Sequence, residues 1–141
     1  MDRGLNPGLG LAILRVALGV TFIAHGLPKL TGGMEMTAGM LETLGIPAPV
    51  LAAWLVALLE TLGGLLLIIG FLVTPAALLL TGHMLLGIIL VHSSNGWYVI
   101  ERGQGGVEFS VILIASLLML VFGGSGTASL DARKNQEVLT A

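Results

Sequence analysis

The stretch VLAAWLVALLETLGGLLLIIGFL, residues 50–72, holds a single ionisable side chain, Glu60, in the middle of an otherwise uncharged apolar run. Crossing roughly 30 Å of hydrocarbon takes about 20 predominantly apolar residues as a helix. The stretch therefore reads as a transmembrane helix with a carboxylate near its centre. Further runs over about 9–30, 76–92 and 107–123 have the same character. Together they predict an all-α fold, an integral membrane four-helix bundle with short loops. The first run is long for a signal peptide, carries Arg15 within it and ends in His25-Gly-Leu-Pro-Lys29 rather than a small-residue cleavage site, so it is read as retained.

Whole-chain composition agrees. Of 141 residues, 55% are hydrophobic and 10% charged, and mean hydropathy is +1.00, so the bilayer rather than water is the expected solvent and principal partner. The net charge of −2 is spread thinly, without a basic run or aromatic-basic interleaving, which argues against a nucleic-acid partner. With no cysteine the chain has no disulfide, no thiolate nucleophile and no Cys-ligated zinc or iron–sulfur cluster. Redox chemistry would have to come from a ligand or another subunit.

Between the first two spans, residues 31–49 are too polar to cross. Met36, Met40, Leu41 and Leu44 recur at helical spacing opposite Glu35 and Glu42, which predicts a short amphipathic helix at the interface. Gly45-Ile-Pro-Ala-Pro49 ends it and opens the next helix. A tight turn, Gly70 to Pro75, joins the second and third spans; a glycine-rich connection, Ser93 to Gly106, follows, and residues 124–141 form a polar tail, of which Asp131 to Ala141 suits a soluble partner. An even number of spans puts both termini on one side. Arg3, Arg133 and Lys134 there, against Lys29 and Arg102 opposite, favour cytoplasmic termini in a prokaryotic plasma membrane, with Trp54, Trp97 and Tyr98 in one belt on the far side.

Charges inside a bilayer each call for a partner or a cavity. At a rise of about 1.5 Å per residue, Glu60 and His83 fall near the midplane, with Arg15 about 7 Å toward the terminal side and His25 about 8 Å toward the other. Arg15, His25, Glu60 and His83 are thus the candidates for ligand binding or proton exchange, and Lys29, His92 and Glu108 are interfacial candidates. On these distances Arg15 reaches Glu60, either as a structural ion pair or as part of a ligand site. His83 is expected to donate to Glu60 or to a backbone carbonyl, and Lys29 to snorkel toward headgroups. His25 suits proton exchange or a hydrogen bond to a ligand, because imidazole titrates near neutrality. Glu60 and Gly64, and His83 and Gly87, share helix faces, and Ala53, Ala57, Thr61, Ala77 and Thr81 add small stripes, so the helices should pack closely with polar groups inward. A metal site is not expected: His83 and His92 lie about half a turn out of phase and some 13 Å apart along a helix axis, and no H-x-x-x-H or E-x-x-H pair occurs. No residue is assigned a catalytic role.

At these positions the sequence resembles the DoxX family of small four-helix bacterial and archaeal membrane proteins. The resemblance is carried by Arg15-x-x-x-Gly19 and His25-Gly26-x-x-Lys29-Leu30, then Gly45-Ile-Pro47, then Glu60-x-x-Gly63-Gly64 and Gly70, and finally Gly123 and Ser129-Leu-Asp131. Arg15, His25, Lys29 and Glu60 match the family's polar positions; His83, His92 and Glu108 come from the residues alone. The family is named for a small subunit of a membrane thiosulfate:quinone oxidoreductase, and other members are linked to membrane oxidoreductase assemblies handling sulfur and oxidative stress. The resemblance thus implies a small quinone-interacting or accessory subunit, with quinone as the ligand and membrane or peripheral redox subunits, or further copies of the chain, as partners. A non-catalytic anchoring or assembly subunit is the alternative, and an oligomeric small-solute or proton transporter a third. The absence of cysteine excludes a sulfur relay through the chain's own thiols.

Overall fold

The structure is a computed structural model and describes residues 6–92, 97 and 107–140. The connection from Ser93 to Gly106, with Tyr98 and Arg102, lies outside those residues apart from Trp97, as do Arg3 and the side chain of His92. Among these residues six α-helices follow in order: α1 (Pro7–Pro28), α2 (Met34–Thr43), α3 (Pro49–Ile69), α4 (Val73–Gly87), α5 (Val107–Gly123) and α6 (Leu130–Thr140). Two π-helical segments, Lys29–Gly33 and Ile88–His92, extend α1 and α4. Three stretches, Pro7–Thr43, Pro49–Ile69 and Val73–Val91, are long and apolar enough to cross a membrane, and α5 is a shorter apolar helix. The architecture is therefore all-helical, with three to four helices able to span.

The amphipathic segment between the first two spans forms α2. It continues from α1 without a loop, through a kink where Gly32 leaves helical geometry (φ 156°, ψ −9°). Ala38 and Leu41 of α2 pack on Ala53 of α3.

The pair α1 and α3 forms the most extensive helix contact. Its antiparallel register is set by glycine. A Cβ on Gly19 would lie 2.5 Å from the Gly64 carbonyl, and one on Gly64 2.6 Å from the Gly19 carbonyl. Such close backbone approach is how helices associate in lipid, where burying apolar surface offers little drive. Ala53, Ala57 and Ala77 are fully buried. The main core joins Leu18 and Phe22 to Leu67, Ala77, Leu80 and Leu117 from α3, α4 and α5. Outside it the surface is apolar: Ile13, Leu55, Leu62, Ile112 and Phe122 are all more than half exposed, Phe122 at 85%. That surface is what a bilayer solvates.

The segment after α5 folds against the bundle. The Thr127 amide donates to the Gly8 carbonyl (3.0 Å) and the Asp131 amide to the Gly70 carbonyl (2.9 Å). The Asp131 carboxylate accepts from the amides of Leu72 (3.0 Å) and Val73 (2.9 Å), capping α4 from almost sixty residues away. This cap explains why α4 begins at Val73, ahead of the expected residue 76, and why Leu72 is held in the left-handed region (φ 51°). The residues read as a polar tail are thus part of the bundle's end, and most of them form α6.

Candidate functional site

Two charged centres occupy α1 and its neighbours, and Arg15 and Glu60 belong to different ones. Arg15 is 2% exposed; its Nη1 donates to the Ser125 carbonyl (3.1 Å) and its Nη2 to the Ala128 carbonyl (3.2 Å). The expected reach to Glu60 is not realised. The register that stacks Gly19 on Gly64 places Arg15 beside Gly70, whose added Cβ would lie 1.9 Å from Nη1. The same register sets Gly26 against Glu60 and Thr61. Arg15 and Gly26 are eleven residues apart, about 16 Å along a helix, beyond an arginine's length. Side chains on a helix also lean toward its N-terminus, which turns Arg15 away from Glu60.

The same lean brings Lys29 back to the level of Gly26. Its ammonium pairs with Glu60 Oε2, so it is drawn inward rather than out to headgroups. On the other carboxylate oxygen, His83 Nε2–H donates to Oε1 at 3.0 Å, one of the two partners expected for it. Glu60 itself is 6% exposed. A carboxylate fixed by two donors on two different helices forms the polar floor of the site.

Above this floor a cavity of about 320 Å³ opens between α1, α2, α3, α4 and α5. Phe22, Val56, Met84, Phe109 and Leu113 are among its apolar walls, and Thr21, Thr37 and Ser110 add hydroxyls. His25 also lines it, an exposed residue whose ring stacks on Phe109 at 6.4 Å between centroids. Its Nδ1–H donates to the Thr21 carbonyl at 2.8 Å, which fixes the tautomer. Of the candidates, His25, Lys29, Glu60 and His83 are brought together here and Arg15 is not. Glu108 lies at the start of α5, where its amide donates to the Trp97 carbonyl (3.1 Å) and its side chain is not among the cavity walls. Among the described residues no three His, Asp or Glu side chains cluster as metal ligands.

Sequence reasoning missed Thr21, Thr37, Phe109 and Ser110 as cavity walls. Thr21 precedes His25 by one helical turn, which is the signal that could have found it. Nothing in sequence spacing joins α5 to the others.

The DoxX family profile matches residues 10–93, more than half of the chain and the part holding Arg15, His25, Lys29, Glu60 and His83. The chain belongs to the DoxX family. It is 30% identical over 134 residues to the inner membrane protein YphA of Escherichia coli, covering 94% of this chain and 95% of that one. To the E. coli inner membrane protein YqjF it is 31% identical, with 92% and 95% covered. To a Bacillus subtilis protein named "Putative oxidoreductase CatD" it is 31% identical, with 87% and 85% covered. No solved structure matches the chain. This DoxX protein is thus a membrane protein with bacterial inner membrane relatives and a polar-floored cavity inside its helices.

Proposed function

We propose that this DoxX protein holds a quinone-type ring in the α1–α5 cavity and acts as a small accessory subunit of a membrane oxidoreductase assembly. The observation that carries the reading is the cavity itself: apolar walls closed at one end by the Lys29–Glu60–His83 cluster. Small-molecule sites combine mostly apolar surface with a few convergent polar groups, in volumes of roughly 300–1,000 Å³. This one is at the small end, suited to a ring rather than an extended chain. The oxidoreductase name of the CatD relative supports the same direction. In this reading Lys29 and His83 hold Glu60 in one place, and Glu60 and the histidines exchange the protons that accompany quinone chemistry. The amino- and carboxy-terminal segments, joined at Gly8 and Thr127, face the cytoplasm with Arg133 and Lys134.

Native mass spectrometry on protein extracted gently from its own membrane tests this. A retained quinone, or a heavier assembly containing redox subunits, is the expected result. A bare 14.6 kDa chain or its simple multiples without ligand would overturn the reading. Glu60→Gln should remain folded and inserted but lose retained ligand, and ligand occupancy equal to wild type would count against a role for the cluster.

A further inference from the structure

The hydrogen-bond inventory of the cavity is one-sided. Thr21 gives its hydroxyl hydrogen to the Ala17 carbonyl (2.9 Å) and Thr37 gives its own to the Gly33 carbonyl (2.9 Å). Each hydroxyl then has only lone pairs left to offer a ligand. Neutral His25, with Nδ1–H committed to the Thr21 carbonyl, presents Nε2 as an acceptor, and among the described residues that atom has no hydrogen-bond partner. Neutral His83, donating through Nε2 to Glu60, is left with the Nδ1 lone pair, and Glu60 accepts only. On the donor side stands the Lys29 ammonium, one of whose three hydrogens is engaged by Glu60. Ser110 can act either way.

Building on the ring-binding reading above, we infer that the cavity selects the hydroxyl-bearing, reduced form of its ring ligand, a hydroquinone, over the carbonyl-bearing quinone. A hydroquinone brings two O–H donors to a wall of acceptors. A quinone brings two acceptors, which meet the Thr21, Thr37 and His25 lone pairs unfavourably and, among the described lining residues, find side-chain donors at Lys29 and Ser110. His25 is the discriminating residue, because it lines the cavity, its Nε2 has no hydrogen-bond partner among the described residues, and its ring is held by Phe109 and the Thr21 carbonyl.

The test is equilibrium binding of a decyl-chain benzoquinone and of its hydroquinone to the full chain in lipid nanodiscs, anaerobically at pH 8. Dithionite can be present throughout the hydroquinone arm, since the chain has no cysteine to reduce. One well-made hydrogen bond predicts about tenfold tighter binding of the hydroquinone. His25→Phe, which keeps an aromatic ring against Phe109, should reduce the preference to near unity, chiefly by weakening hydroquinone binding. Thr21→Val, equal in shape and lacking the acceptor, should narrow the preference in the same direction, and it carries the test if His25→Phe does not fold. Equal binding of the two forms, or tighter binding of the quinone, overturns the inference and leaves the ring-binding reading standing. Binding of neither form overturns both.

Discussion

The two buried charges among the described residues are held in opposite ways. Arg15 is held by main-chain carbonyls of Ser125 and Ala128, groups that no substitution can remove. Glu60 is held by side chains, Lys29 and His83, and faces a cavity. A charge that closes backbone groups belongs to the architecture, because those carbonyls lose their donor if the charge goes. A charge paired only with other side chains can in principle be replaced together with its partners by apolar groups at little cost. The bundle places such a cluster on the wall of a cavity.

The largest effect should come from Arg15. Arg15→Met leaves two carbonyls without donors and releases the segment from Ser125 to Asp131 that caps α4. We expect a loss of about 2–4 kcal/mol, seen as a lower melting temperature in mild detergent and faster proteolysis of the carboxy-terminal helix. Gly70→Ala should behave alike, since its Cβ would overlap the guanidinium and Gly70 sits at φ 72°. A melting temperature unchanged in Arg15→Met would put Arg15 on the same footing as Glu60 and end the distinction.

Next in size is a pair of outcomes at Glu60. Glu60→Leu alone strands the Lys29 ammonium and should cost about 2–3 kcal/mol. The triple replacement of Lys29→Met, Glu60→Leu and His83→Phe removes every charge together, and its melting temperature should return close to wild type while ring binding is lost. No second substitution should rescue Arg15→Met in this way. If the triple variant is as unstable as Glu60→Leu, the cluster is architectural after all.

How far the sequence could disclose this follows from the register of α1 on α3. Apolar run lengths marked the spans, and the isolated charges within them marked His25, Glu60 and His83 as inward groups. Small residues at Gly64, Ala53 and Ala57 marked the packed faces of α3. What run lengths do not contain is the relative height of two helices. Centring each run on one midplane put Arg15 some 7 Å from the level of Glu60, whereas the contact of Gly19 with Gly64 separates them by about twice that. The same misplacement sent Lys29 outward. Hydrophobicity also says nothing about a polar segment folding back, so Ser129-Leu-Asp131 was legible as a motif but Asp131 was not legible as the cap on α4. The Phe109 wall depends on α5 meeting α1, a tertiary fact.

The smallest effect sharpens the comparison most finely, because it touches the architectural end without removing its charge. Asp131→Ala deprives the Leu72 and Val73 amides of their acceptor and should lower stability by about 1–2 kcal/mol, the usual range for losing a helix cap. Asp131→Asn keeps one side-chain oxygen and should lose about half as much. Hydrogen exchange at the Leu72 and Val73 amides should accelerate in the same order, Ala before Asn. Neither change should alter ring affinity in the cavity, since Asp131 acts at the Gly70 end of the bundle and the cavity floor lies at the level of Gly26. A binding defect in Asp131→Asn matching its loss of stability would mean that the two centres are energetically joined through α4, the helix that Asp131 caps and from which His83 reaches Glu60.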